Sequence, residues 1–455
     1  MPNLSPEFIE NMRALLGAEV EDFLRALEQP PALALRAHRG AEGAAPFVSE
    51  PVPWAENGFY RRDSTRPGAS IEHWAGAFYL QEASAMLPAT VLAARPGERV
   101  LDLCAAPGGK ASQIAWALQG KGALVANEIE PARARVLAAN LERLGVCNAV
   151  AVNESPARLA ACWPGAFDAV LVDAPCSGEG MFRRDPESRA QWTSSAPQGC
   201  QKRQAEVLDA AAALVRPGGR LVYSTCTFND LENEGSVAGF LQRHPDFAPW
   251  DFEVPTLGAS TGGMLRLWPH RARGDGHFVA RFRKAGAGET PQAERDARSQ
   301  RARRDKASAG CKGNPDPRAL LAALLQTAVS ALPAGLESAR LRLSGRRLFA
   351  VPILAPDTDG LRAVSPGLAL LRAEKGRVEP EHALAMALKP EMARRTAALD
   401  ESEALAFIAG EALPREGEAG WTLVTYKNLP LGWGKQAEAT LKNHVPKGLR
   451  AHLRP

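Results

Sequence analysis

Short apolar runs alternate with longer amphipathic stretches along the middle of the chain, from residue 98 to residue 284. Brief runs that are apolar throughout are typical of parallel strands that are buried on both faces. The predicted strands are 99–103, 123–127, 168–173 and 219–224. A later segment, 276–282, alternates with period two, which favours an antiparallel strand at the end of the series.

The stretches between these strands carry helix start and stop signals. Pro131 suits the first position of a helix over 131–144, and Gly145 suits its end. A second helix is predicted over 201–215, stopping at Pro217-Gly218-Gly219. Because strands and helices alternate, the pattern predicts an α/β fold of Rossmann-like type with a doubly wound, mostly parallel sheet.

The pattern changes on both sides of this region. The N-terminal part has a helical stretch near 6–28 followed by loop-rich sequence, and the C-terminal part has predicted strands at 338–354 and 421–427. A polar segment separates the central region from the C-terminal part. It has a basic excess and almost no large apolar residue, which indicates a flexible linker. The predicted division is an N-terminal subdomain (1–75), a central domain (76–284), the linker (285–318) and a C-terminal α+β domain (319–455).

Composition narrows the class of protein only slightly. The 455 residues are 45% hydrophobic and 23% charged, as in soluble globular chains of two or three domains. A net charge of +4 is compatible with an RNA partner without requiring one. We find neither a secretion signal nor an apolar run of membrane-spanning length, and the 7 cysteines lack CxxC spacing. We therefore expect a cytoplasmic protein without membrane contacts, disulfides or a metal site.

The turn after the first predicted strand is the strongest local feature. It reads Asp102-Leu103-Cys104-Ala105-Ala106-Pro107-Gly108-Gly109-Lys110 and precedes a helix. Small residues at such a turn let the backbone approach a ligand closely, although a tight strand–helix turn alone would look similar. Glu128 ends the second strand, where a carboxylate can accept hydrogen bonds from both hydroxyls of a ribose. Together these features favour a nucleoside-bearing cofactor, and the turn lacks the GxGxxG pattern of a dehydrogenase.

Two cysteines follow two neighbouring predicted strands. Cys176 lies in Asp173-Ala174-Pro175-Cys176-Ser177-Gly178, and Cys226 lies in Ser224-Thr225-Cys226-Thr227. Parallel strands end at the same edge of a sheet, so we expect both thiols and Asp173 to converge beside the cofactor turn. A single cysteine is most often a small buried apolar residue, but two beside a carboxylate indicate chemistry.

With these three motifs, and with Glu232-Asn233-Glu234 after the last, the chain resembles the Nol–Nop–Sun family of RNA cytosine-5 methyltransferases over about residues 50–284. The resemblance implies a class I methyltransferase domain, S-adenosylmethionine as cofactor, Cys226 as nucleophile and Cys176 as the residue that assists product release. Cytosine-5 DNA methyltransferases instead use the cysteine of their Pro-Cys motif as nucleophile. The resemblance also places a cofactor contact after the strand that lies between 123–127 and 168–173, in Val152-Asn153-Glu154-Ser155, where our candidate is Ser155.

The implied chemistry explains the thiols. Carbon 5 of cytosine is too weak a nucleophile until a thiolate adds to carbon 6, which is covalent catalysis. Asp173 is placed to contact N3 of the ring during this addition. Because a thiolate is required, we expect positive charge near the nucleophile, and Lys110 is the candidate.

The C-terminal tail resembles the RNA-binding PUA-like module of the bacterial 16S rRNA methyltransferase F branch. The matching segments are Gly432-Trp433-Gly434-Lys435 and 442–450. Basic residues there suit phosphate contacts and Trp433 could stack on a base, although a solvated basic terminus would look similar. Arg183 and Arg184, with Phe182 and Trp192, form a second predicted RNA surface.

The sequence thus predicts a monomeric rRNA cytosine-5 methyltransferase. Four alternatives stay open: a tRNA cytosine-5 methyltransferase, a methyltransferase for protein or small molecules, a non-catalytic ribosome-assembly protein, and a dehydrogenase on the same fold. Retained activity without Cys226 would favour the second of these, and tight RNA binding without cofactor affinity would favour the third.

Overall fold

The computed structural model describes residues 4–38, 43–62, 65–286, 315–374 and 377–453. Its helices are α1 (Pro6–Leu16), α2 (Val20–Glu28), α3 (Ile71–Trp74), α4 (Leu87–Leu92), α5 (Gly109–Ala117), α6 (Pro131–Arg143), α7 (Pro156–Cys162), α8 (Pro186–Gln191), α9 (Ala196–Leu214), α10 (Glu234–Arg243), α11 (Pro317–Thr327), α12 (His382–Ala387) and α13 (Glu401–Ala409). In the ranges that the structure describes, no helix combines the length and the apolar character needed to cross a membrane.

The strands form five sheets in these ranges. In chain order they are β1 (Ala34–Ala37), β2 (Val48–Pro51), β3 (Gly58–Arg61), β4 (Phe78–Leu80), β5 (Arg99–Asp102), β6 (Ala123–Asn127), β7 (Ala149–Val152), β8 (Phe167–Asp173), β9 (Val215–Thr225), β10 (Phe247–Pro249), β11 (Glu253–Val254), β12 (Gly258–Ala259), β13 (Met264–Leu267), β14 (His277–Lys284), β15 (Arg340–Ser344), β16 (Arg347–Val351), β17 (Ala363–Ser365), β18 (Leu368–Glu374), β19 (Arg377–Pro380), β20 (Thr396–Leu399), β21 (Leu413–Pro414), β22 (Gly420–Tyr426), β23 (Leu429–Ala437) and β24 (Thr440–Asn443).

The central sheet has the order β10-β14-β9-β8-β5-β6-β7-β17, with β13 paired to β14. From β9 to β7 all neighbours are parallel, whereas β14 runs antiparallel to β9. This confirms the predicted doubly wound, mostly parallel sheet and its late antiparallel strand. The strand order reverses between β5 and β8, and a ligand crevice forms outside the carboxyl ends of strands at such a point.

Alternate residues of each central strand pack on opposite faces of the sheet, as the pleat requires. On β5, for example, Val100 belongs to one apolar cluster and Leu101 to the other. Helix α6 begins at Pro131 as predicted and gives way at Gly145, whose φ is +64°. The predicted end of the second helix at Pro217-Gly218-Gly219 was wrong, because α9 ends at Leu214 and β9 begins at the next residue. The Pro217-Gly218-Gly219 segment bulges within β9, between the pairings Phe167↔Val215 and Ala169↔Arg220.

The C-terminal region contains two further sheets, β15-β16-β18-β19 and β20-β22-β23-β24-β21. Strand β17 lies between β16 and β18 in the chain, but it pairs with β7 of the central sheet instead of joining the first of these two sheets. Most of the predicted linker, 287–314, lies outside the described residues. The suggestion that Trp433 stacks on RNA was wrong, since the side chain is buried in the core and its indole nitrogen donates to the Glu381 carbonyl at 3.0 Å.

Candidate active site at the carboxyl ends of the central strands

The turn after β5 begins with a buried carboxylate. Asp102 is fully buried, and neither of its side-chain oxygens accepts a hydrogen bond of normal geometry. Burial raises the pKa of Asp102 to about 8, and the negative charge of nearby Asp173 adds to the effect. An unpartnered buried carboxylate is costly, so this position is suited to a positively charged ligand group.

The backbone of the turn can come close to a ligand. Gly108 has a φ of +115°, a conformation that favours glycine, and α5 starts at the next residue. Arg36 of the N-terminal region makes two hydrogen bonds to the start of α5 and a third to Gln81, which holds the guanidinium in place. Arg36 donates to Ser112 Oγ at 2.6 Å, to Gln81 Oε1 at 3.1 Å and to the Gly109 carbonyl at 3.3 Å. Burial raises the pKa of the Cys104 thiol within the turn, so this sulfur stays protonated.

Replacing Asp102 with asparagine should stabilise the ligand-free protein at alkaline pH. Between the ordinary aspartate pKa and about 8, the folded state holds one proton more than the unfolded state. Wild-type stability therefore falls as pH rises through this window, by at most about 1.4 kcal/mol per pH unit, and asparagine removes that slope. The melting-temperature difference, variant minus wild type, should grow between about pH 5 and pH 8.

The matched control is Asp168→Asn. Asp168 in β8 is also buried, but its carboxylate pairs with Arg216 at 2.7 Å. Removing that paired charge should lower the melting temperature, because it leaves the Arg216 guanidinium short of its partner. A pH-independent difference for Asp102→Asn would contradict the assignment of a costly ionisation to this residue.

The carboxyl ends of β6 and β7 supply the other candidate cofactor contacts. Glu128 is buried after β6, and its carboxylate accepts from the Glu130 amide at 2.9 Å and lies 3.5 Å from Arg133 Nη1. Ser155 follows β7 and caps α7, where its hydroxyl accepts from the Arg158 amide at 3.3 Å. The carboxylate of Glu128 thus retains capacity for further donors, whereas the Ser155 hydroxyl already stabilises a helix end.

Asp173 ends β8 at the centre of a charged cluster. Its carboxylate receives Lys110 Nζ at 2.7 Å on one oxygen and Ser224 Oγ at 2.8 Å on the other, with His277 Nε2 3.4 Å away. Burial alone would raise the pKa of Asp173, but Lys110 and His277 hold it well below its usual range. Asp173 is therefore a carboxylate that can only accept hydrogen bonds.

The two predicted cysteines meet at this edge. Cys176 Sγ and Cys226 Sγ lie 3.3 Å apart, although 50 residues separate them in the chain. The hydrogen bond to Cys226 and burial raise the pKa of Cys176 well above its ordinary value. Cys176 therefore stays protonated, and either sulfur can be the donor in this contact. Burial would lower the pKa of Lys110, but Asp173 and, to a smaller extent, Cys226 raise it above its ordinary value, so Lys110 stays charged beside this cluster.

A buried polar network fixes the two cysteine loops to each other. The Gly180 amide donates to the Cys226 carbonyl at 2.8 Å, and a Cβ at residue 180 would lie 2.8 Å from that oxygen. The carboxylate of Glu232 accepts from the Ser177 amide at 3.0 Å and from Gln204 Nε2 at 2.7 Å. Glu179 accepts from the Phe228 amide at 2.8 Å. The distance between the sulfurs is therefore set by backbone that has little freedom to move.

Sequence reasoning missed His277 and Glu179. His277 stands in a strand that was identified only by its alternation, and Glu179 follows the Pro-Cys motif without a spacing signal of its own. The sequence predicted only a late antiparallel strand here, and its pairing with the strand that leads to Cys226 came from the structure.

The second predicted RNA surface was also wrong. Phe182 and Trp192 are buried in an apolar cluster with the N-terminal helices. Arg183 and Arg184 both pair with Asp275, whose side chain is 4% exposed. Because these guanidinium groups already hold a buried carboxylate and neighbouring carbonyls, they cannot serve as a phosphate-binding surface.

The fold and this site define a class I methyltransferase that uses S-adenosylmethionine. The chain belongs to the ribosomal RNA small subunit methyltransferase F family. It is 32% identical over 474 residues to that protein of Vibrio cholerae serotype O1, covering 98% of each chain. It is equally similar to the relative in Enterobacter sp., covering 97% of this chain and 95% of the other.

Family models match nearly the whole described chain. The model for 16S rRNA methyltransferase RsmB/F matches 89–283, and the N-terminal domain of 16S rRNA methyltransferase RsmF matches 4–83. The RsmF first C-terminal domain matches 326–388, and the RsmF PUA domain matches 394–451. The chain is therefore a 16S rRNA methyltransferase in its family membership and in its domain content.

Solved structures agree with this fold. A methyltransferase homologue protein from Pyrococcus horikoshii is 28% identical with a TM-score of 0.52, covering 62% of this chain and all of the other. NSun6 from the same organism, determined with SFG, is 21% identical with a TM-score of 0.54, covering 62% of this chain and 99% of the other. The second likeness supports the fold alone.

Proposed function

We propose that the protein methylates carbon 5 of a cytosine in 16S rRNA, with Cys226 as the covalent nucleophile. The observation that carries the proposal is the pair of thiols 3.3 Å apart beside Asp173, at the edge of the sheet that bears the cofactor turn. A methyltransferase acting on an already nucleophilic atom has no need for such a pair.

Residues of three strand ends would hold the cofactor, which supplies an electrophilic methyl group on a sulfonium. The buried, unpartnered carboxylate of Asp102 fits the ammonium of its methionine part. Glu128 fits the ribose hydroxyls, and the turn 104–110 gives close backbone approach. Ser155 would contact the adenine base of the nucleoside. These four assignments rest on charge, burial and position in the fold.

Cys226 begins the reaction by adding its sulfur to carbon 6 of the cytosine, which makes carbon 5 nucleophilic. The ring must gain positive character at N3 for this addition. The proton that the Cys226 thiol loses is taken up at N3 as the sulfur adds, and Asp173, which is ionised and partly exposed, would accept a hydrogen bond from that N3–H and stabilise the charge. Lys110 holds the carboxylate in place and keeps positive charge near the attacking sulfur.

Cys176 has the complementary role in product release. Its thiol stays protonated while it is hydrogen-bonded to Cys226, but that cause of the raised pKa disappears once the Cys226 sulfur is bonded to carbon 6. Cys176 can then lose its proton to solvent and, as a thiolate, accept the proton from carbon 5. The electrons of that C–H bond re-form the C5–C6 double bond, and the Cys226 sulfur leaves as a thiolate. Without this base, the adduct should persist.

The C-terminal sheet supports an RNA partner. Lys435 on β23 and Lys442 on β24 are exposed and stand directly opposite each other in the ladder. Like charges in that position are destabilising unless an anion lies between them. The exposed Lys447 and Arg450 extend the basic surface along the tail. We therefore place phosphate contacts here, within a C-terminal region 319–455 that we propose as the RNA-binding domain.

Replacing both Lys435 and Lys442 with alanine should weaken RNA binding and flatten its dependence on salt. Each lost phosphate contact should reduce the slope of log K against log salt by about one. Filter binding of a 16S rRNA fragment across a salt series measures both effects. The control is Lys121→Ala. Lys121 is exposed just before β6, at the amino ends of the central strands, and its replacement should leave the slope unchanged. An unchanged slope in the double variant would remove these lysines from the RNA interface.

The activity itself is tested by incubating the protein with methyl-labelled cofactor and separate samples of 16S rRNA, assembled small subunits and tRNA. We expect labelled 5-methylcytidine after nuclease digestion of an rRNA sample. Label that appears only in tRNA, or only in another nucleoside, would contradict the proposal. We further propose that the enzyme acts as a monomer in the cytoplasm, where a reducing environment keeps the paired thiols from oxidising.

A further inference from the structure

A segment of the C-terminal region is built into the catalytic domain. Residues 353–365, which we name the C-terminal strap, run from the first C-terminal sheet to the outer edge of the central sheet. Leu354 and Ala355 pack in an apolar core of the central domain. The strap carbonyls accept from catalytic-domain side chains, at Asp357 from Trp163 Nε1 (3.0 Å) and at Gly360 from Arg158 (3.3 Å).

The strap ends beside the candidate ribose site. Its last residues form β17, which pairs with β7 through Ala363↔Val152 and Ser365↔Ala151. Just beyond β7, the Asn153 amide donates to the Arg362 carbonyl at 2.9 Å. The Arg362 amide donates to Glu154 Oε1 at 2.8 Å, and the Arg362 guanidinium lies 3.6 Å from the other oxygen of Glu154.

Asn153 connects the strap to the backbone of Glu128 and Ile129, beside the candidate ribose site. Its buried side-chain amide donates to the Glu128 carbonyl at 2.7 Å and to the Ile129 carbonyl at 2.8 Å. One residue therefore holds the strap with its backbone and the Glu128–Ile129 corner with its side chain. Large apolar side chains are exposed on both segments that it joins, Ile129 at 58% and Val364 at 38%. The flat faces of a purine base need apolar surfaces of this kind.

We infer that the C-terminal strap is a positioning element of the cofactor site, and that Asn153 is the residue through which it acts. Strap contacts fix Asn153, and Asn153 fixes the backbone that presents the Glu128 carboxylate to the ribose. The C-terminal region thus sets the affinity for the cofactor in addition to contacting RNA. This inference rests on the proposed placement of the ribose at Glu128.

The test measures S-adenosylhomocysteine affinity by calorimetry, without RNA, in the full chain. Asn153→Ala removes both side-chain hydrogen bonds, and Arg362→Pro removes the strap amide that donates to Glu154. Each should raise the Kd about tenfold. The matched control is Asn148→Ala. Asn148 is buried at the other end of β7 and donates to the Ala115 carbonyl at 2.9 Å, so its loss should change the Kd less than about twofold.

A second readout keeps the test decisive if Arg362→Pro does not fold. Ligand binding to the wild type should slow hydrogen exchange at the amides of Asn153 and Arg362. Unchanged exchange there, or an equal loss of affinity in Asn148→Ala and Asn153→Ala, would overturn the inference. Failure of the wild type to bind S-adenosylhomocysteine at all would instead count against the cofactor site itself.

Discussion

Replacing Cys226 with alanine should abolish methyl transfer to RNA and leave affinity for S-adenosylhomocysteine unchanged. The sulfur forms the bond that activates carbon 5, and the neighbouring Cys176 thiol has the separate role of base in product release, so the variant lacks the nucleophile for the first step. We expect a loss of roughly a thousandfold or more in the rate of label incorporation, a scale seen when a covalent nucleophile is deleted. The rate is measured at saturating RNA with methyl-labelled cofactor.

The control for this variant is Cys200→Ala. Cys200 is a half-buried free cysteine on α9, outside the pair of catalytic thiols, and its removal should leave the rate near that of the wild type. Substantial activity in Cys226→Ala would show that the acceptor atom needs no covalent activation. That result would favour a substrate whose methylated atom is already nucleophilic.

Replacing Cys176 with alanine should trap the protein on its RNA. The first half of the reaction keeps its nucleophile, Asp173 and Lys110, but the base that would remove the carbon 5 proton is lost. The methylated adduct should then accumulate to nearly one per active site and survive denaturing electrophoresis. The wild type should show only a faint band under the same conditions.

The double variant Cys176→Ala/Cys226→Ala separates this adduct from non-specific cross-links. It should give no band, because the sulfur that would bond to carbon 6 is absent. A band in Cys226→Ala that disappears in Cys176→Ala would mean that the roles of the two thiols are exchanged, as in the cytosine-5 DNA methyltransferases.

The central sheet could be predicted because its determinants are local. Each buried strand is a short apolar run, and Pro131 and Gly145 mark the ends of a helix in the sequence itself. The convergence of Cys176 and Cys226 followed from topology, since neighbouring parallel strands end at the same edge. What topology could not supply was the 3.3 Å distance, which depends on the buried network around Glu232 and Glu179.

Exposure could not be read from residue type. Arg184 and Trp433 were assigned to RNA because both residue types are common in RNA interfaces, yet each has a buried partner that is distant in the sequence. Asp275 neutralises the arginine, and the Glu381 carbonyl accepts from the indole. The C-terminal strap was missed for a related reason. Strand β17 has three residues, too few for a periodic signal, and it is defined by its pairing with β7.

The central claim is that the Cys226 sulfur bonds to the target cytosine, and the most direct test is to identify the residue that carries the nucleotide. The adduct formed by Cys176→Ala is digested with nuclease and protease, and the modified peptide is sequenced by mass spectrometry. We predict one methylated cytidine attached to the peptide that contains Ser224-Thr225-Cys226-Thr227. Attachment to any other residue, or an adduct that forms equally well when Cys226 is alanine, would contradict the account.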